Sequence, residues 1–188
     1  MNICVFGASS DDISKSYMDI VYDLGMKLAE RGHSLIFGAG AQGLMGACAR
    51  GTKTAGGKIT GIAPAYFNAD GILYDKCTEL IFTESMRERK YTMEEMSDAF
   101  IMVPGGVGTF EEFFEVLTLK QLGRHGKAIV IYNINNYFDS FVNMLDECAA
   151  KGFMQGATNE IYEVMTDADA VLDYIEAYEP EVGKVFKF

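Results

Sequence analysis

Short apolar runs alternate with longer amphipathic segments along most of this chain, and this alternation most constrains its fold. We expect strands at residues 2–6, 34–37, 58–63, 79–82, 99–103, 127–132 and 161–164. The segments between them carry apolar residues at helical spacing. Such an alternation is typical of a parallel sheet covered by helices. The pattern therefore predicts the α/β class, with a doubly wound parallel sheet flanked by helices.

The chain length favours a single domain. With 188 residues, the chain is long enough for one buried core and short for two. No stretch resembles an interdomain linker, so we expect one domain over residues 1–188. The amino terminus lacks a basic region before its short apolar run, so this run is interpreted as a strand and not as a signal peptide. We accordingly expect a cytoplasmic protein.

The charge and the cysteines exclude several classes of function. A formal net charge of -11, without a stripe of Lys and Arg, argues against nucleic acid polymers and anionic membranes as partners. Local donors can still bind a small phosphorylated ligand. The four cysteines form no CxxC pair and lie in apolar segments, so we interpret them as buried reduced thiols. We expect neither a metal nor another cofactor.

Three glycine-rich or serine-rich loops follow predicted strands. They are GASS at 7–10, GAGAQG at 38–43 and PGG at 104–106. In a doubly wound sheet, ligands bind at the carboxyl ends of the strands where the winding reverses. The three loops therefore predict a ligand cleft at this edge.

The loop GAGAQG matches the GxGxxG pattern of dinucleotide-binding proteins. That mechanism also needs an acidic residue about 20 positions further on, to hold the ribose hydroxyls. Here the next strand ends in Gly61, Ile62, Ala63 and Pro64. We therefore disfavour NAD and interpret these glycines as a tight turn with close helix packing.

The stretch PGGVGTFEE, residues 104–112, places a loop almost free of side chains before an amphipathic helix. Its glycines let backbone N–H groups converge on an anion, and the helix adds its positive end, which suits a phosphate monoester. In the alternative interpretation, Thr109 caps the helix and Glu112 completes a T-x-x-E capping box. Glu112 borders the apolar face, within reach of a sugar that carries the phosphate. Glu111 and Glu115 are interpreted as a solvated pair.

The stretch SMRERK, residues 85–90, predicts a second helix. Ser85 and Glu88 form a possible capping box that starts the helix near Met86. Arg89 and Lys90 then share a face with Met86 and a further methionine. Carboxylates of the fold or a ligand could satisfy these two cations. The position of the helix at the same sheet edge as the glycine loop favours a ligand.

Four of these stretches together resemble the Lonely Guy (LOG) family, the cytokinin riboside 5'-monophosphate phosphoribohydrolases, often labelled lysine decarboxylase-like. The matching segments are GASS at 7–10, GAGAQGLMGACARG at 38–51, MRERK at 86–90 and PGGVGTFEE at 104–112. The resemblance covers most of the chain and implies a Rossmann-like domain.

The resemblance also implies an activity and a set of site residues. The expected reaction is hydrolysis of the N-glycosidic bond in an adenine-type nucleoside 5'-monophosphate, giving free base and ribose 5-phosphate. By the motif match, Arg89 and Glu112 are catalytic. The substrate-binding residues are expected to be Ser9, Ser10, Gly43, Met86, Lys90, Gly105, Gly106, Val107, Gly108 and Thr109. The resemblance further implies a homodimer, with helices beside the cleft at the contact.

The residues are compatible with this chemistry and leave details open. Glycosidic cleavage passes through an oxocarbenium-like state, in which Glu112 could stabilise charge, orient hydroxyls or activate water. Arg89 would hold Glu112 and the nucleotide. A decarboxylase would need a pyridoxal phosphate site with a Schiff-base lysine and an acidic partner, and the sequence indicates no such pair. The remaining alternative is a non-catalytic carrier of a nucleotide or of the molybdenum cofactor on the same fold.

Overall fold

The computed structural model describes residues 1–68 and 71–180, and it contains the expected alternation of strands and helices. The strands are β1 (Asn2–Phe6), β2 (Ser34–Phe37), β3 (Ile59–Pro64), β4 (Glu79–Thr83), β5 (Ala99–Met102), β6 (Ala128–Tyr132) and β7 (Glu163–Met165). The helices are α1 (Lys15–Glu30), α2 (Gly43–Thr54), α3 (Met86–Met96), α4 (Val107–Gln121), α5 (Asp139–Ala150) and α6 (Ala168–Ala177). Six strands begin within one residue of their expected position. β7 begins two residues late, after the 3-10 turn Gly156–Glu160.

All seven strands form one parallel sheet in the order β4-β3-β2-β1-β5-β6-β7. The chain builds the sheet outward from β1 to β4 and then returns to the other side of β1 with β5. β1 and β5 end together, because Phe6 is in register with Met102. The winding thus reverses between β1 and β5, and ligands bind at such a reversal in open α/β sheets. The predicted doubly wound α/β fold is confirmed.

Helices cover both faces of the sheet. One apolar cluster joins the strands to α1, α2 and α6, and a second joins them to α3, α4 and α5. Strands buried on both faces need continuous apolar sequences, and β6, AIVIY, is buried throughout. Within the described ranges, no helix combines the length and apolar character that a bilayer crossing requires.

The cysteines only partly match the expectation of buried thiols. All four are free, and Cys4 and Cys48 are fully buried, whereas Cys77 and Cys148 are half-buried. Burial raises the pKa of Cys48 to about 12. This thiol therefore stays protonated at neutral pH and serves the core.

Glycines allow α1 and α2 to pack with almost no side-chain layer between them. A Cβ atom at Gly25 would lie 2.2 Å from the carbonyl oxygen of Cys48, and one at Gly51 would lie 1.9 Å from that of Tyr22. Beyond α1, Gly32 has φ +80 and donates its N–H to the Ala29 carbonyl. A glycine in the left-handed conformation commonly ends a helix in this way.

We expect Gly25→Ala to destabilise the protein by about 2 kcal/mol, because the added methyl group meets backbone that cannot move aside. In an unconstrained helix the same change would stabilise by about 1 kcal/mol, so the sign of the effect tests the packing. Urea unfolding measures it. Asp19→Ala on the exposed side of α1 is the control, with an expected change below about 0.5 kcal/mol. A stabilised Gly25→Ala variant would contradict the close contact.

Candidate functional site

A cleft of about 730 Å³ opens at the carboxyl edge of the sheet, where the strand order reverses. The loops after β1, β2 and β3 line it, together with the first turns of α3 and α4. The residues expected at the site that line it are Ser9, Ser10, Met86, Arg89, Gly106, Val107, Gly108, Thr109 and Glu112. The volume is in the range of pockets that hold small ligands.

The amino end of α4 presents free backbone donors to this cleft. Gly106 precedes the helix in an extended conformation, and Val107 is its first residue. Within residues 1–68 and 71–180, the N–H groups from Gly106 to Thr109 have no acceptor. Gly106 and Gly108 are exposed, and a Cβ atom at either would meet nothing within 4 Å. Unpaired N–H groups at a helix amino terminus form an anion site.

The capping-box interpretation of Thr109 and Glu112 is wrong. The residue preceding α4 is Gly106, and no side chain caps the helix. Thr109 lies inside the first turn, where its side chain is buried against Gly105: a Cβ atom at Gly105 would be 2.1 Å from Oγ1 of Thr109. Glu112 lies one turn later and bonds to another helix. The glycines of this loop therefore serve close packing at Gly105 and an open backbone at Gly106 and Gly108.

Helix α3 begins as expected and delivers Arg89 to the base of the cleft. Ser85 caps it by accepting a hydrogen bond from the N–H of Glu88, at 3.1 Å. The Glu88 carboxylate accepts from the N–H of Glu84 rather than that of Ser85. The predicted start of the helix at Met86 is confirmed.

Arg89 and Glu112 form a buried ion pair. Nη1 of Arg89 lies 2.9 Å from Oε1 of Glu112, and the two side chains are only 9% and 11% exposed. Nε of Arg89 donates to the carbonyl of Ile62 at 3.1 Å, which fixes the guanidinium plane. Burial raises the pKa of Glu112, and the Arg89 charge opposes this rise. The pair is thus a carboxylate in a largely dry site, held in place by a guanidinium.

The glycine loop after β2 makes room for this guanidinium. A Cβ atom at Gly38 would lie 1.9 Å from Nη2 of Arg89. The first glycine of the GAGAQG stretch therefore serves the Arg89 side chain and not a dinucleotide.

The amino end of α2 is closed to ligands by the loop after β1. The carbonyl of Ala8 accepts from Leu44 N–H at 2.8 Å, and Oδ1 of Asp11 accepts from Gly43 N–H at 2.8 Å. A Cβ atom at Gly43 would lie 2.3 Å from the Ala8 carbonyl oxygen. This agrees with the interpretation of a tight turn with close packing. Gly43 does not line the cleft, and its N–H is already bonded.

Lys90 does not line the cleft. Its ammonium group pairs with the carboxylates of Glu111 and Glu115 on α4, the latter at 2.9 Å. Glu111 and Glu115 keep 53% and 36% of their side chains exposed, as expected of a solvated pair, and in addition both bind Lys90. Arg89 and Lys90 both pair with carboxylates of the fold, so their charges are balanced without a ligand. Gly105 likewise lies outside the residues that line the cleft.

An apolar wall of the cleft was missed by the sequence reasoning. It comes from the start of α2 and from the segment after β3, and its residues are Met45, Phe67, Ile72 and Leu73. The N–H of Ala41 donates to the carbonyl of Ile72 at 3.0 Å, which ties that segment to the loop after β2. The signal for this wall in the sequence is a few apolar residues in the otherwise polar connection between β3 and β4. Among the described residues, no three His, Cys, Asp or Glu side chains are placed to hold a metal ion.

Comparison with known proteins places this arrangement in a family. Residues 45–175 match the family model described as "Possible lysine decarboxylase". The cytokinin riboside 5'-monophosphate phosphoribohydrolase LOG2 of Arabidopsis thaliana is 35% identical over 179 residues, which cover 95% of this chain and 84% of that protein. The chain belongs to the LOG family. Another LOG-family relative, the probable cytokinin riboside 5'-monophosphate phosphoribohydrolase LOGL9 of Oryza sativa, is 34% identical over 178 residues, 95% of this chain and 78% of that protein.

Solved structures with the same fold include proteins outside this group of enzymes. The molybdenum cofactor binding protein from Rippkaea orientalis has a TM-score of 0.72 and 20% identity, covering 94% of this chain and 95% of that one. At this identity the likeness concerns the fold alone. The chain thus shares its architecture with a protein that binds the molybdenum cofactor.

We expect Arg89→Met to destabilise the fold by about 3 kcal/mol at neutral pH, because it leaves the Glu112 carboxylate buried without its partner. The pKa of Glu112 then rises further, so the folded state holds a proton that the unfolded state has released. Unfolding free energy therefore falls as pH rises above the ordinary Glu range. Urea unfolding should show a larger loss at pH 8 than at pH 5.

The double variant Arg89→Met/Glu112→Gln is the control for this prediction, since it has no carboxylate to titrate. The additional loss at pH 8 seen in Arg89→Met should be absent from it. A pH difference that persists in the double variant would assign the effect to another group.

Proposed function

We propose that this protein is a nucleoside 5'-monophosphate phosphoribohydrolase that acts on adenine-type nucleotides. The observation that carries the proposal is the buried Arg89–Glu112 pair next to the open amino end of α4, in one cleft. A phosphate site beside a dry, oriented carboxylate matches what the cleavage of a sugar 5'-phosphate needs. The names of the LOG-family relatives, phosphoribohydrolases of cytokinin riboside 5'-monophosphate, support it.

The phosphate would bind to backbone rather than to side-chain cations. The unpaired N–H groups from Gly106 to Thr109 and the positive end of α4 supply the donors. Ser9 and Ser10, on the loop after β1, line the same cleft and add hydroxyl groups. Because neutral dipoles provide the attraction, an acidic protein can still bind a dianion locally.

The carboxylate of Glu112 would act on the ribose. In the reaction the bond from C1' to the base nitrogen breaks, a water oxygen bonds to C1', and the base leaves with a proton. Positive charge develops on the ribose in the transition state. A carboxylate preorganised in a site of low dielectric stabilises that charge strongly. Burial raises the pKa of Glu112, and the Arg89 charge opposes that rise and so favours the ionised form, which the hydrogen bond from Arg89 also orients.

The apolar wall would hold the base. The side chains of Met45, Phe67, Ile72, Leu73 and Met86 line one part of the cleft. Such side chains suit a flat, weakly polar ring system such as adenine, with or without an apolar substituent. Purified protein should be incubated with a panel of nucleoside monophosphates, including AMP and cytokinin riboside 5'-monophosphate. Chromatography of the products then tests the activity and ranks the bases. Intact nucleotides throughout the panel would overturn the proposal.

Two other activities fit the residues less well. Pyridoxal phosphate chemistry, as the family description suggests, needs a lysine to form a Schiff base, and none of the described residues that line the cleft is a lysine. A non-catalytic carrier of a nucleotide or of the molybdenum cofactor would need the anion site. It would not need a buried ion pair beside that site, which costs desolvation energy.

We also propose that the protein is a homodimer that associates through helices beside the cleft. Tyr91 on α3 is 61% exposed, Val107 on α4 is 86% exposed and Phe114 on α4 is 37% exposed. Apolar side chains exposed on adjacent helices commonly mark an interface. Light scattering at micromolar concentration should give twice the monomer mass. A mass of 20.7 kDa would contradict the proposal.

We expect Glu112→Gln to lower kcat for AMP by about 10² to 10³-fold, because the amide loses the charge and keeps an oxygen that can accept from Arg89. The melting temperature should fall, because the buried Arg89 loses its counter-charge, so activity is compared well below it. Glu115→Gln is a matched control on the same helix, since Glu115 bonds to Lys90 and does not line the cleft. Equal activity in both variants would remove Glu112 from the mechanism.

We expect Gly106→Ala to weaken AMP binding by at least about tenfold, because a methyl group enters the space where the phosphate approaches the backbone. The unfolding free energy should change by less than about 1 kcal/mol, since a Cβ atom there meets no neighbour within 4 Å. Calorimetry with AMP and with adenosine separates the phosphate from the rest of the ligand. Similar losses for both ligands would place the phosphate elsewhere.

A further inference from the structure

Tyr137 forms a hydrogen bond with the loop after β5. The hydroxyl of Tyr137 donates to the carbonyl oxygen of Gly105 at 2.7 Å. Tyr137 is in the connection between β6 and α5, so the contact joins segments 32 residues apart. No motif in the sequence points to this tyrosine.

Tyr137 lies against this loop without lining the main cleft. A second cavity of about 220 Å³ is bounded by Tyr137, Tyr17, Pro104, Gly105 and neighbouring residues of the loop after β1. Neither tyrosine lines the main cleft, and Gly105 does not line it either, whereas Ala8, Ser10 and Gly106 line both spaces. The Gly105–Gly106 peptide therefore lies where the two spaces meet.

We propose that Tyr137 is a positioning residue that locks this peptide with the Gly106 N–H directed into the main cleft. A trans peptide is planar, so its C=O and N–H bonds point in opposite directions. The hydrogen bond holds the Gly105 carbonyl toward Tyr137, and the N–H of Gly106 must point the other way. A peptide between two glycines has the least steric resistance to flipping, and a flipped peptide would present a carbonyl to a phosphate.

The backbone next to Tyr137 has an unusual conformation that hydrogen bonds stabilise. Asn135 and Asn136, directly before it, both have left-handed backbone conformations, with φ 51 and φ 60. Such conformations persist in residues other than glycine when the surroundings enforce them. Asn133 supplies part of that enforcement, because its Oδ1 accepts from the N–H of Phe138 at 2.7 Å and its Nδ2 donates to Asp139. The turn thus aims the tyrosine hydroxyl at the glycine loop.

The test is Tyr137→Phe, which removes the hydroxyl and keeps the ring. Tyr17→Phe is the matched control: Tyr17 packs edge-on against Tyr137 at 6.2 Å, and its hydroxyl has no hydrogen-bond partner within the described part of the chain. Calorimetry should use ribose 5-phosphate, which has no base to release, and adenosine, which has no phosphate. We expect Tyr137→Phe to weaken ribose 5-phosphate about fivefold to tenfold and to leave adenosine unchanged. Tyr17→Phe should change neither.

The outcomes separate a positioning role from a purely structural one. Equal weakening of both ligands, or a lower melting temperature with unchanged ribose 5-phosphate affinity, would overturn the inference. The inference rests on the phosphate site of the proposed function, and the wild type distinguishes the two failures. A wild type that binds ribose 5-phosphate without cleaving AMP removes the activity and leaves this test valid. A wild type that does not bind it overturns both.

Discussion

A guanidinium group buried at the carboxyl edge of the sheet ties several elements of this fold together. Arg89 on α3 bonds to the Ile62 carbonyl on β3 and to Glu112 on α4, in space that Gly38 leaves open after β2. A buried charge is tolerated only when its partners are well placed. The relative positions of β3, α3 and α4 are therefore coupled to this ion pair. Arg89 and Glu112, the side chains best suited to catalysis, therefore also stabilise the carboxyl edge of the sheet.

The two glycine-rich loops show how one local pattern serves two purposes. Both follow a strand and open a helix, and both therefore place free N–H groups at a positive helix end. At α2 the donors are taken up by Ala8 and Asp11 from the loop after β1. At α4 they remain open to the cleft, and Tyr137 bonds to the Gly105 carbonyl of the same loop. The proposed anion site therefore lies at α4, whose amino end the fold leaves unpartnered.

The family and the fold answer different questions about this protein. LOG-family relatives at about a third identity carry the names of phosphoribohydrolases, and a molybdenum cofactor binding protein has the same architecture at 20% identity. A fold that provides an anion site at a sheet edge can support binding alone or binding followed by chemistry. The difference must come from the few side chains beside the anion. In this chain they are a carboxylate and a guanidinium, removed from water together.

The sequence by itself determined the strand and helix pattern, because burial on one or two faces imposes a period that can be read locally. It also indicated the Ser85 cap and the loops that meet at the cleft, since parallel strands end at one edge. The tertiary structure alone determined which hydrogen-bond donors and charged side chains have partners within the protein. In the folded protein, Lys90 pairs with Glu111 and Glu115, and Gly43 packs against the loop after β1. Glu112 pairs with Arg89 and does not cap its helix. The apolar wall lines the cleft, and Tyr137 bonds to the glycine loop. Hydrogen bonds and ion pairs join residues distant in the chain, so no local pattern records them.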